Sequence, residues 1–145
     1  MSLDKVKITP EEYQKILQGL DLISISLKES RCYLNTDVKI PNELNIEINS
    51  EEKFKVINEE QVQIIQKYFL DARKRNSKSR FLQIELTLLV LLKSKEKFTD
   101  EFFDVYKEVS LKLNTWPYFR EFVNNITSRM NIPPLTIPFF KVNIK

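Results

Sequence analysis

The 145-residue chain contains no histidine, one glycine and one cysteine. Without histidine there can be no Ser-His-Asp triad, no His-ligated metal and no imidazole acid–base chemistry. The single glycine, Gly19, leaves no phosphate-cradling loop of the P-loop or dinucleotide-binding type. The lone thiol, Cys32, can form no internal disulfide, which fits a reducing cytoplasm, and it lacks the usual base for nucleophilic work. Its expected role is that of a small apolar filler. No apolar run approaches the ~18–20 residues of a membrane span, the longest candidate being 88–92. No export signal is legible at the N-terminus. No acidic pair stands out for carboxylate catalysis. These exclusions predict a protein that is not an enzyme, with no cofactor and no metal, forming one domain over 1–145.

The residues present fall into period-two and period-3.6 patterns. Thr9-Pro10-Glu11-Glu12 reads as a capping box with proline at the first helical position, and Tyr13, Ile16, Leu17 and Leu20 share one face of the helix over 9–20. From 22 to 34 the chain alternates: Ile23, Ile25 and Leu27 point one way, while Cys32 and Leu34 continue in the opposite phase. A strand changes phase only through an extra residue, so a bulge or bend is expected between Lys28 and Arg31. A loop over 35–43 carries Val38, Ile40 and Pro41. Leu44, Ile46 and Ile48 alternate as a half-buried strand, and Ser50–Lys53 looks like a polar break before Phe54.

Residues 58–75 support two readings. Locally they form a helix capped by Asn58 and boxed by Gln61, with Val62, Ile65 and Phe69 on one face. Alternatively they form a strand that a polar connection over 73–80 joins to the strand 81–92. In that last strand Leu82, Ile84, Leu86, Leu88, Val90 and Leu92 make one apolar face. The other face is polar at Gln83, Glu85 and Thr87 and turns apolar at Leu89 and Leu91. Such a strand is covered on both sides at one end, so Leu89 and Leu91 are expected at a subunit or helix contact.

Thr99-Asp100-Glu101 opens a helix through Phe102, Tyr106, Val109 and Leu113, with an interruption expected at 114–117. A second helix follows from Pro117, with Phe119, Phe122, Val123, Ile126 and Met130 on one face, closed by Pro133-Pro134. The tail is extended and apolar at Ile137, Phe139 and Phe140; the last two point opposite ways, so only one is easily buried. Strands first and helices last predict an α+β fold, with helices on one face of an antiparallel sheet.

The stretch 116–137, WPYFREFVNNITSRMNIPPLTI, resembles the SecB family of export chaperones. An aromatic-Pro-Tyr (Trp116-Pro117-Tyr118) is followed by Arg120-Glu121, Ser128-Arg129 and Pro133-x-Leu135-x-Ile137, without gaps. The resemblance implies a SecB-like four-stranded antiparallel sheet backed by a long helix, and assembly of dimers into a tetramer. It also favours the strand reading of 58–75. Family members bind non-native polypeptide in apolar grooves and pass it to the SecA motor through acids on the exposed sheet face. The residues expected to meet client are Val38, Ile40, Trp116, Phe139 and Phe140. Glu29 and Glu85 are expected to meet a partner such as SecA, and Leu89, Leu91, Phe119, Phe122 and Ile126 an oligomer interface.

The departures are a net charge of +3, a crossover loop without aromatics, an added N-terminal helix, and an end at Lys145 where the family has a further helix and an acidic tail. They carry over polypeptide binding more securely than hand-over to SecA, and they suit a relative of the kind that protects an unstable antitoxin. The run 73–80, with five bases in eight residues, raises a nucleic-acid reading, but it has no aromatic to stack bases. A solvated hairpin tip is the plainer account.

Overall fold

Alternation with period two becomes four long strands, because each strand has one row of apolar side chains to bury. A computed structural model describes residues 8–140. The order is α1 (Pro10–Gln18), β1 (Leu20–Leu34), β2 (Leu44–Val56), β3 (Gln61–Lys74), β4 (Arg80–Ser94), α2 (Asp100–Tyr106) and α3 (Ser110–Arg129). The strands form one antiparallel sheet in the order β1-β4-β3-β2. Residues directly opposite one another share a face. The inner face therefore carries Ile64, Tyr68 and Leu70 beside Val90, Leu86 and Ile84, all buried beneath the helices.

The helix 9–20 ends as expected, with the Thr9 hydroxyl accepting from the Glu12 amide and Gly19 at the C-cap. A Cβ on Gly19 would lie 3.2 Å from Lys95 Cβ, so glycine lets the end of β4 approach. The phase change in β1 is real: the register slips between Leu27 and Glu29, and again between Leu22 and Ser24, which the alternation did not reveal. After the two bulges, Leu22, Leu27 and Cys32 all sit on the inner side. Cys32 is nonetheless exposed and fills no core, although its neighbour on that side, Leu34, packs against the core. The expected break at Ser50–Lys53 is also absent. β2 pairs with β3 without interruption from Leu44 to Val56. Ser50 and Glu52 stay on the inner face, where Glu52 accepts from Gln66 Nε2 at 2.8 Å and lies 3.7 Å from Lys112 on α3.

Residues 58–75 form a strand. Asn58 does cap, but it caps a tight turn: its Oδ1 accepts from the amides of Glu60 and Gln61, and its Nδ2 donates to Gln61 Oε1. The same side-chain chemistry serves a hairpin as well as a helix start. The helical interruption also moves. α2 stops at Tyr106, and α3 runs through Asn114–Pro117 without a break, carrying Pro117 in its interior. Proline there removes one helical bond. Contacts on either side of it tie the helix to the sheet: the Thr115 hydroxyl lies 2.7 Å from that of Tyr68, and Phe119 stacks on the Tyr68 ring at 4.7 Å. Asn131, in the left-handed region at φ 59°, then ends the helix before Pro133.

The core has two lobes. One lies under α3, around Tyr68, Leu86, Phe119 and Val123. The other gathers Phe54, Phe98, Phe102, Phe103 and Tyr106 against α1 and α2. Burial pushes the phenol of Tyr68 up to about 12, with the Thr115 hydroxyl opposing and the Glu52 carboxylate adding; burial, then Tyr13, does the same for Tyr106, also to about 12. Both groups hold their protons longer when folded, so their stability contribution is full below pH ~10 and is lost as pH rises towards 12. Urea titrations are expected to show stability falling across pH 10–12. Tyr68→Phe, which cannot ionise, should fall less steeply, and an equal slope would contradict the buried placement.

Candidate functional site

The helix period of 3.6 brings Trp116, Arg120, Asn124 and Thr127 onto one stripe of α3. The residues after the helix run back along this stripe in extended form. Trp116 Nε1 donates to the Pro138 carbonyl at 2.8 Å and Arg120 Nε to that of Ile137 at 2.8 Å. Asn124 Nδ2 donates to the Thr136 hydroxyl, and the Leu135 amide donates to Thr127 Oγ1. Three of these four bonds reach backbone atoms of the extended segment. Ile137 is buried beneath it. Phe140 lies 6.0 Å from Trp116, and Phe139 is 70% exposed with the Arg120 guanidinium 4.0 Å from its ring centre. The two phenylalanines thus differ in exposure, Phe140 being half-buried and Phe139 exposed, although both line one groove.

Beside this segment lies an open groove of roughly 430 Å³, walled by Leu113, Trp116 and Pro117 on one side and Phe139 and Phe140 on the other, with Arg120, Glu121 and Asn124 at its floor and rim. Trp116, Phe139 and Phe140 are thus brought together in one groove. Val38 and Ile40 do not line this groove: Val38 packs against the lobe under α3 and Ile40 is exposed in its loop. Leu113, Arg120, which binds a backbone carbonyl, and Asn124, which binds the Thr136 hydroxyl, are groove residues that the sequence did not single out. The signal was available as an i, i+4 row, but the row is polar and a search for apolar faces passes over it.

The other expected sites separate by face. Glu29 and Glu85 both lie on the outer face of the sheet, around a shallow hollow they share with Arg31, Lys67 and Thr87. Arg31 Nε stands 3.3 Å from Glu29 and directly opposite Glu85, so basic groups partly neutralise the pair. Leu89 and Leu91 are on that outer face too, and no helix covers them. Phe119 is fully buried within the protomer on Tyr68, and so is spent on the core; Phe122 and Ile126 are half-buried beside it. In the basic run, Arg73 binds Asp71 and the Lys78 carbonyl, and Arg75 binds Glu43. No helix among the described residues is long and apolar enough to cross a membrane, and no group of three or more His, Cys, Asp or Glu among them could hold a metal.

No protein-family model matches this sequence, and no curated protein does either. A solved structure does. The Mycobacterium tuberculosis Rv1957 SecB-like chaperone, in complex with a ChAD peptide from the Rv1956 HigA1 antitoxin, superposes with a TM-score of 0.76 over 88% of this chain and 95% of the other, at 16% identity. The chain has a SecB-like fold. A Streptococcus agalactiae protein of unknown function also matches, at a TM-score of 0.49, 9% identity and coverage of 83% and 97%. The groove itself is built by α3 and the segment that returns along it.

Removing Arg120 tests how the returning segment is held. Arg120→Ala deletes a charge-assisted bond and a cation–π contact, a loss of about 2 kcal/mol in urea unfolding. Limited chymotryptic digestion should cut at Phe139 and Phe140 sooner than in the wild type, and unchanged digestion would show that the segment does not depend on this clamp.

Proposed function

We propose that this protein is a SecB-like chaperone that holds non-native polypeptide, without catalysis, in the groove beside α3. The observation that carries the reading is the stripe on α3 that binds an extended segment chiefly through its backbone. Bonds to backbone carbonyls and amides are indifferent to side-chain identity, as a holder of many sequences requires. The apolar walls add affinity that scales with area, at ~25 cal/mol per Å² buried. The exposed ring of Phe139 and the indole of Trp116 are the anchors.

A narrower reading, a chaperone dedicated to one partner such as an antitoxin, rests on the antitoxin peptide bound by Rv1957. Both readings place the protein in the cytoplasm as a homo-oligomer. The inner side of β1 is the first surface for assembly into a dimer, because Leu22 and Leu27 are 46% and 58% exposed there; Phe122 and Ile126 are the α3 residues proposed to join it. Protein export and contact with SecA would use Glu29 and Glu85, among the bases beside them. Nucleic-acid binding by 73–80 is the least supported alternative, since Arg73 and Arg75 are already tied to carboxylates.

Light scattering of a reduced, aggregating model protein tests the broad reading. Equimolar chaperone should suppress the signal, while Trp116→Ala and Phe139→Ser should each require about tenfold more protein, the ~1.4 kcal/mol expected from part of one aromatic surface. No suppression at any ratio, alongside tight capture of one co-expressed partner, would replace the general holder with the dedicated one. Full suppression by both variants would remove the groove from the mechanism.

A further inference from the structure

Residues 132–140 form no helix or strand and, among the described residues, make no backbone–backbone hydrogen bond. A segment built into a fold ordinarily pairs its peptide groups with other peptide groups. This one is held by side chains of α3 and by what it buries. Leu135 is half-buried and Ile137 is 2% exposed, while Thr136 and Pro138 between and after them are exposed. The next inward position of an extended chain is Phe139, yet Phe139 is 70% exposed. The grip on the core therefore ends at Ile137.

The groups that take the segment are the ones the chaperone reading assigns to a client. Trp116 Nε1 and Arg120 Nε hold the carbonyls of Pro138 and Ile137, and Thr127 Oγ1 holds the Leu135 amide. The indole N–H and the Nε–H are single donors, so a carbonyl of the segment and a carbonyl of a client exclude one another there. Beyond Trp116 the stripe runs on to Leu113, which is 49% exposed in the open part of the groove.

We propose that residues 135–138 are a strap that occupies the client site in the absence of client, and that a client binds by displacing it. This rests on the chaperone reading and adds the regulation of its site. The client first meets Leu113, Trp116 and Phe139 in the open groove. Its carbonyls then take the Trp116 and Arg120 donors from Pro138 and Ile137 in turn, and one of its apolar side chains enters the place of Ile137. Each bond lost by the strap is replaced by one to the client, so the exchange leaves no donor unpaired. With the strap gone, the stripe from Leu113 to Thr127 is about 21 Å long, room for about six residues of extended chain. When no client is present, the strap keeps the site of Ile137 covered and limits the apolar surface exposed to other molecules. The apparent affinity is the intrinsic one reduced by the fraction of molecules in which the strap is open.

Binding of fluorescein-labelled, reduced and carboxymethylated α-lactalbumin to the full chain, followed by anisotropy, tests the exchange. In a Cys32→Ser background, Asn124→Cys with Thr136→Cys is measured before and after dibromobimane joins the two thiols. The bridge ties the strap to α3 where Asn124 Nδ2 and Thr136 Oγ1 stand 3.2 Å apart. It should raise Kd by at least about tenfold. Ile137→Ala loosens the strap but leaves every α3 donor in place, and should lower Kd by about tenfold. Trp116 is the only tryptophan, so its emission reports the strap with no client present: Ile137→Ala should shift it to the red. Binding that neither the bridge nor Ile137→Ala alters would make the segment a fixed wall and overturn the strap, with the chaperone reading intact. Absence of binding in every form, Ile137→Ala included, would overturn the chaperone reading and the strap's role with it.

Discussion

Everything at the groove depends on how α3 is fixed to the sheet, and that rests on Tyr68. Its ring stacks on Phe119 at 4.7 Å and meets the edge of Trp116 at 5.6 Å, while its hydroxyl lies 2.7 Å from that of Thr115. Thr115 in turn donates to the Leu111 carbonyl inside the helix. Apolar stacking alone would let a helix slide or rotate, because packing free energy varies weakly with small displacements of similar side chains. A buried hydroxyl pair does not, since each oxygen loses its partner if the helix moves by a fraction of a turn. Tyr68 therefore fixes both depth and rotation. With rotation fixed, the stripe of Trp116, Arg120, Asn124 and Thr127 faces the returning segment.

A second polar constraint sits between the two lobes of the core. Gln66 is fully buried, and it is held by Glu52 across the strands, which Lys112 of α3 also approaches. Burying a carboxylate and an amide is unfavourable unless they are paired, so this cluster adds little net stability compared with an apolar alternative. What it does restrict is register. A slip of β2 by one residue would move Glu52 to the outer face and leave Gln66 Nε2 only the Lys67 carbonyl. The same slip would exchange the inner and outer residues of β2 throughout its length.

The sequence made some of this legible and concealed the rest for identifiable reasons. β4 was readable because its inner row is apolar at six successive positions, and α1 because Thr9 and Pro10 mark its start without ambiguity. The slip at Lys28 could be located because alternation changes phase there; the slip at Ile23 was hidden because Ile23, Ile25 and Leu27 read as an unbroken alternation. Asn58 and Gln61 misled as a helix start, since a side-chain oxygen that satisfies successive amides is common to caps and turns. Pro117 misled in the opposite sense: a local rule ends helices at proline, and Tyr68, distant in sequence, overrides it. Trp116, Phe139 and Phe140 were legible as candidates because they are aromatics at the start of the helix and in an extended tail; of the three only Phe139 is exposed. Arg120 and Asn124 were not: the partner of Arg120 is a backbone carbonyl, which carries no sequence signal, and that of Asn124 is the hydroxyl of Thr136, twelve residues away.

The open groove follows from a mismatch of lengths. Between Trp116 and Thr127 the helix rises about 16 Å. The partners of that stripe, Leu135 to Pro138, advance only about 10 Å in extended form. The two cannot remain in contact throughout, so the bonds are made by short side chains at Thr127 and Asn124 and by long ones at Arg120 and Trp116. The segment thus diverges from the helix towards Trp116 and Leu113, where the groove opens. An incoming extended chain would meet an indole on one wall of the groove and a phenylalanine on the other.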